Sequence, residues 1–130
     1  MIGEETSILH KITEKNVQMF ADLTGDHNPL HMDEDFASKT KFKKRVVHGM
    51  LTASYISTVI GTILPGPGAL YLYQEINFKK PVWIDDTIEV KAKVIQKIES
   101  SKMVVLKINI TNQNSEKVLT GKARAVCPPS

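Results

Sequence analysis

The second half of the chain is patterned two residues at a time. Ile88, Val90, Ala92 and Val94 alternate with Glu89, Lys91 and Lys93. Val104, Leu106, Ile108 and Ile110 alternate with Lys107 and Asn109, and Leu119, Gly121, Ala123 and Ala125 with Lys122 and Arg124. Leu70, Leu72, Ile76 and Phe78 form an earlier run of the same kind. A period of two places successive side chains on opposite faces, so each run predicts a strand with one dry and one wet side. The connections Asp85-Asp86, Glu99-Ser100-Ser101 and Asn112-Gln113-Asn114-Ser115 carry turn residues, as antiparallel neighbours require. Residues 7–12 predict one further short strand near the start of the chain.

Two segments break the alternation. After Thr13, a suitable N-cap, Val17, Phe20, Ala21 and Thr24 share one face at helical spacing, with Leu23 beside them. Gly25 is placed to end that helix. Residues 50–64 are different: Met50, Leu51, Ala53, Ile56, Val59, Ile60, Ile63 and Leu64 occupy nearly the whole circumference, which predicts a helix buried on all sides. Pro65-Gly66-Pro67-Gly68 closes it. Between these lie a turn-rich stretch over 25–31, a short helical stretch over Asp33 to Lys39, and a basic loop.

One long buried helix needs a surface that covers it, and four or five antiparallel strands with one dry face each can curl around it. The expected fold is therefore α+β, an antiparallel sheet wrapped around a long central helix, in a single domain over residues 1–130. Its edge strands need covering, and pairing two sheets edge to edge does so, which predicts a homodimer. Composition agrees with a self-sufficient core: 130 residues, 42% apolar and 24% charged, enough to fold without a disulfide or a metal. Cys127 is the sole cysteine, so an intrachain disulfide and a Cys-rich zinc site are excluded. Its place near the C-terminal Pro-Pro-Ser suits packing. The start, Met1-Ile2-Gly3-Glu4-Glu5, lacks the basic and apolar regions of a signal peptide. The run 50–64 is too short and hydroxyl-rich for a membrane span. A cytoplasmic protein with no membrane partner is the expectation.

Chemistry is concentrated over 26–31. Asp26 and His31 lie five apart across a turn containing Pro29, which can bring a carboxylate and an imidazole to one water and manage its protons. Asn28 offers a neutral donor and acceptor. The same residue types serve other ends. Asp or Asn ahead of Pro commonly bonds its own backbone in a purely structural turn. His27 and His31, near Asp26, Asp33 and Asp35, have a spacing seen at metal sites, but Pro29 interrupts the helix face such a site prefers, and no metal is expected. Ser57, His31 and Asp26 together lack the nucleophile elbow of a serine hydrolase. A second constellation, His48-Gly49, opens the apolar helix. Free N–H groups at a helix start carry partial positive charge, and Gly49 permits close approach of a ligand, so its N–H is a candidate oxyanion donor. Tight packing at that turn is the alternative reading of Gly49.

The stretch Phe20 to Ala37, with Leu23-Thr24-Gly25-Asp26, Asn28-Pro29-Leu30-His31 and Ala37, resembles the signature of the (R)-specific enoyl-CoA hydratases, the MaoC-like dehydratase family. Val47-His48-Gly49-Met50-Leu51 resembles its second block, and the likeness runs through Phe78-Lys79-Lys80-Pro81-Val82 without a departure at the signature positions. The resemblance implies a hot-dog fold and reversible syn hydration of trans-2-enoyl thioesters to (3R)-3-hydroxyacyl thioesters, with no cofactor. Carried over by position, Asp26 and His31 are the catalytic pair, Asn28 supports their loop, the Gly49 N–H polarises the thioester carbonyl, and Ser57 braces the site.

Net charge is +3, and Lys39, Lys41, Lys43, Lys44 and Arg45 form a local basic cluster. It reads either as a solvated loop or as a contact for an acidic partner. Lys43, Lys44 and Arg45 are the candidates for substrate phosphates. Phe42 is the only aromatic within the cluster, which argues against nucleic acid. The basic residues suit a coenzyme A or an acyl-carrier-protein thioester alike, so a 3-hydroxyacyl-[acyl-carrier-protein] dehydratase is the alternative enzyme. A non-catalytic acyl-thioester-sensing module is the alternative of another class; the intact Asp26/His31 pair argues against it. The hydratase-type loop disfavours thioester hydrolysis.

Overall fold

The computed structural model describes residues 1–129. The chain forms β1 (Glu5–Lys11), α1 (Glu14–Thr24), α2 (Pro29–Met32), α3 (Glu34–Ser38), α4 (Gly49–Thr62), β2 (Leu70–Phe78), β3 (Thr87–Ile98), β4 (Met103–Thr111) and β5 (Lys117–Val126). The five strands make one antiparallel sheet in the order β1-β3-β4-β5-β2. The dry faces of β3, β4 and β5 are the predicted ones: Ile88, Val90, Ala92, Val94, Leu106, Ile108, Ile110, Leu119, Ala123 and Ala125 are buried. They close over Leu51, Ala53, Ile56, Val59 and Ile60 of α4 in a single core. This is the hot-dog arrangement, a sheet curled around one long helix.

Two expectations need correction. Helix α4 is not buried on every side: Met50, Ser54, Ser57, Thr58 and Gly61 form an open stripe. The sheet is one layer deep and covers only the Leu51, Ile56, Val59 and Ile60 side. The hydroxyls at 54, 57 and 58 follow helical spacing, and this stripe is where they gather. In β2 the assigned dry face is also wrong: of its four residues only Ile76 packs on the core, and Phe78 at the far end is 56% exposed. Leu70 and Leu72 are exposed, while Tyr71 and Ile76 point to the core. A bulge between Tyr71 and Tyr73 inserts one residue, and one extra residue changes which side chains face inward.

The segment before α4 builds the site. Thr13 caps α1 through a capping box with Asn16, and Gly25 ends it in the left-handed region at φ 82°. Pro29 opens α2 at a position where its missing N–H costs nothing. Asp33 then caps α3 through its carboxylate, which accepts from the Phe36 N–H at 3.1 Å. The return strand is pinned on both sides, the Val46 N–H donating to Leu30 O and the Val47 N–H to Val82 O. Among the described residues, no helix is long and apolar enough to cross a membrane.

Candidate active site

Asp26, His31 and Gly49 border one cleft of about 450 Å³, together with His48, Thr52 and Phe78. The reversal at Gly25 aims Asp26 back toward the start of α4. One carboxylate oxygen of Asp26 accepts from the Asn28 N–H at 3.2 Å. Asn28 in turn accepts from the Leu30 N–H at 3.0 Å, capping α2. Both residues therefore make the local turn bonds that their chemistry favours. For Asn28 this is the whole of its observed role: it shapes the loop and does not line the cleft.

His31 sits on α2 with its ring oriented by a contact that the sequence does not announce. Its Nδ1 lies 2.6 Å from the Val46 carbonyl. A carbonyl only accepts, so Nδ1 carries the hydrogen and Nε2 keeps a free lone pair for a proton. Arg45 holds the same turn from behind. Its Nε donates to the His31 carbonyl at 2.6 Å, and its guanidinium pairs with Glu14 at 2.8 Å and lies 3.8 Å from Glu34. Arg45 is only 7% exposed. It is thus a buried fastener joining α1, α2 and α3, and its assignment as a phosphate contact is corrected: the guanidinium is already engaged.

His48 is the residue immediately before α4 and is 2% exposed. Its Nε2 donates to the Asp26 main-chain carbonyl at 2.9 Å. Its ring packs against His31 with centroids 4.1 Å apart and against Phe20 at 5.0 Å. Burial lowers its pKa below the ordinary imidazole value, and the neighbouring His31 pushes the same way against the favourable bond to Asp26. Gly49 follows as the first residue of α4, where N–H groups have no acceptor within the helix. A Cβ there would lie 2.7 Å from the Phe78 ring, so any larger residue requires that ring to move.

One ligand-type atom from each of Asp26, His31 and His48 lies within 4.8 Å of the others. The two imidazoles are tilted 33° to each other. His31 Nδ1 and His48 Nε2 are each already held by a main-chain carbonyl, so the set suits proton handling better than metal binding. His27 does not join it. That ring bonds exposed Asp22 at 3.1 Å, which raises the His27 pKa and lowers that of Asp22.

The remaining candidates lie outside the cleft. Ser57 is on the open stripe of α4. Lys43 and Lys44 are exposed, with the Lys44 ammonium 4.8 Å over the Trp83 ring. Lys79 and Lys80, by contrast, reach the cleft wall beside Phe42. Sequence reasoning placed them in the likeness but gave them no role. It also gave His48 none; the only signal for either was proximity to a named motif.

A MaoC like domain model matches residues 4–115. The 3-hydroxybutyryl-CoA dehydratase of Methylorubrum extorquens is 44% identical over 124 residues, 95% of this chain and 78% of that protein. The (R)-specific enoyl-CoA hydratase of Rhodospirillum rubrum is 40% identical over 126 residues, 97% of this chain and 87% of that protein. Among solved structures, the (R)-hydratase from A. caviae superposes with a TM-score of 0.96 at 35% identity, covering 98% of this chain and 97% of that one.

Proposed function

We infer, from the premise that this chain belongs to the MaoC-like dehydratase family, that it is an (R)-specific enoyl-CoA hydratase. The substrate is an acyl-CoA thioester, and the reaction is reversible addition of water to a trans-2-enoyl-CoA, giving the (3R)-3-hydroxyacyl-CoA. The observation that carries the chemistry is the His31 ring, whose Nδ1 faces the Val46 carbonyl and whose Nε2 is left free beside Asp26.

In the proposed mechanism Asp26 and His31 bind one water between them. A new bond forms from the water oxygen to C3 as the C2=C3 π pair shifts toward the thioester oxygen. The Gly49 N–H stabilises that developing charge, where a preorganised donor has most effect. The proton removed from water is held on the Asp26/His31 pair and delivered to C2 from the same side, so addition is syn and no proton is lost. Asn28 supports the pair through the turn.

Lys79 on the cleft wall, with exposed Lys43 and Lys44, supplies positive charge for the phosphates of coenzyme A, while neighbouring Lys80 is already paired with Glu116 at 2.6 Å. Acidic carrier proteins would find the same charge attractive, which keeps the acyl-carrier-protein dehydratase as a second reading. The assembly is proposed as a homodimer, with a second groove of about 570 Å³ between α1 and α4, lined by Met19, Leu23, Leu51 and Tyr55, as room for the acyl chain. The test is hydration of crotonyl-CoA, followed by loss of enoyl-thioester absorbance with chiral analysis of the product, beside a parallel assay on the carrier-protein thioester. The (3R) product from the coenzyme A substrate is expected. Faster turnover of the carrier thioester would favour the second reading, and no hydration of either would remove both.

A further inference from the structure

Among the described residues, the one polar contact that the His48 side chain makes is to the main chain of the catalytic loop. Nε2 lies 2.9 Å from the Asp26 carbonyl, and among the described residues buried Nδ1 has no partner. A carbonyl requires a donor, so the hydrogen sits on Nε2. A second hydrogen on Nδ1 would be buried with no acceptor, at a desolvation cost that native structures avoid. The neutral Nε2–H form is therefore the one this site accommodates. The ring also forms the floor under His31, at 4.1 Å between centroids, with Phe20 fixing its other side at 5.0 Å. His48 is joined through the backbone to Gly49, the first residue of α4. One side chain thus touches the carboxylate-bearing residue, the imidazole base and the helix start that carries the oxyanion donor.

We propose that His48 is a positioning residue: its neutral imidazole ties the Asp26 main chain to the start of α4 and backs the His31 ring, setting the distance between the acid–base pair and the Gly49 N–H. It touches no reacting atom. Its effect on rate rests on the hydratase reading, whereas its tautomer does not.

The first measurement is therefore made on the wild-type protein without substrate. Nitrogen-15 NMR of the imidazoles at pH 7 should give a neutral Nε2–H tautomer for His48. An Nδ1–H tautomer or a charged ring would overturn the proposal. The second compares His48→Gln, whose amide nitrogen reaches about as far as Nε2 and keeps a donor, with His48→Leu, which fills space without one. Misplacing reacting groups by about 1 Å can cost up to ~10²-fold. His48→Leu should lower kcat for crotonyl-CoA by at least about tenfold with KM little changed, and His48→Gln should recover most of the loss. A folded His48→Leu at wild-type kcat, or a folded His48→Gln no better than His48→Leu, would refute the role. Should either variant fail to fold, the wild-type tautomer decides. Wild-type protein without hydratase activity but with the expected tautomer would sink the functional reading and leave the clamp standing.

Discussion

Asp26 and His31 divide their contacts in the same manner: one polar atom anchors the residue and another remains for chemistry. Asp26 spends one carboxylate oxygen on Asn28, and His31 spends Nδ1 on Val46. Replacing Asp26 by Asn keeps the anchor and removes the charge, and His31→Ala removes the base. A positioned acid–base group contributes about 10²–10⁴-fold, so each variant should lose about that much in kcat for crotonyl-CoA. Because both act on one water, the double variant should be little worse than the worse single. A folded Asp26→Asn at near-native rate would show that the loop is only a turn, and full additivity would show that the two groups do not share one water. The sequence displayed this pair because a carboxylate and an imidazole across a Pro turn are visible as residue types. It did not display the role of His48, because what His48 recognises at position 26 is a carbonyl that every residue possesses. Burial of His48 also gives stability a pH dependence. Its folded pKa lies below the unfolded value, so the unfolded state binds more protons as pH falls, and stability drops. The contribution is complete above about pH 6.5, the ordinary imidazole value, and is lost progressively below it. Exposed His27 acts in the opposite sense, but its pairing with Asp22 is solvent-screened. Thermal unfolding should show a Tm that falls from pH 7 to pH 5, with a shallower fall in His48→Gln; equal slopes would assign the dependence elsewhere.

Short elements carry this site, and none has enough surface of its own to stay in place. Helices α2 and α3 span four and five residues, too few to be stable alone. Arg45 binds them to α1 through Glu14, Glu34 and the His31 carbonyl. The carboxylates are largely exposed and contribute little as ion pairs; the bond to the carbonyl, made in a buried setting, is the stronger hold. Arg45→Met should destabilise the protein by about 1–3 kcal/mol, visible as a Tm lower by several degrees, and should lower kcat without raising KM. A rise in KM alone would instead return Arg45 to phosphate binding. The long elements were legible because 9 to 14 residues of pattern accumulate evidence for one period. The bulge in β2 was not: Leu70, Tyr71 and Leu72 are all apolar, so no change of polarity marks the inserted residue. Arg45 was misread for a related reason. Its neighbours in sequence are solvated lysines, while its partners lie 14 and 31 positions away.

At the scale of the whole molecule, the sheet ends in β1 and β2, and among the described residues no further strand pairs with their outer edges. On β2, Leu70 and Leu72 are 60% and 52% exposed, with Tyr73 beside them. The open stripe of α4 adds Met50 at 57%. An apolar edge strand left in water invites pairing with another chain, and the proposed homodimer would use a second copy to cover it. Sedimentation should therefore find a dimer, and Leu72→Lys should shift it toward monomer with loss of activity. A wild-type monomer with full activity would exclude the arrangement.

The His31 anchor at Val46 has a consequence for how the cleft can change. Main-chain carbonyls are indifferent to the side chain they belong to, so the orientation of the base survives exchange of residue 46 itself. Val46 also lines the cleft, where side-chain volume meets the bound molecule. Selectivity and proton transfer are thus wired through different atoms of one residue. Libraries that vary position 46 can recut the wall for bulkier or slimmer guests while the imidazole keeps its hydrogen where turnover needs it.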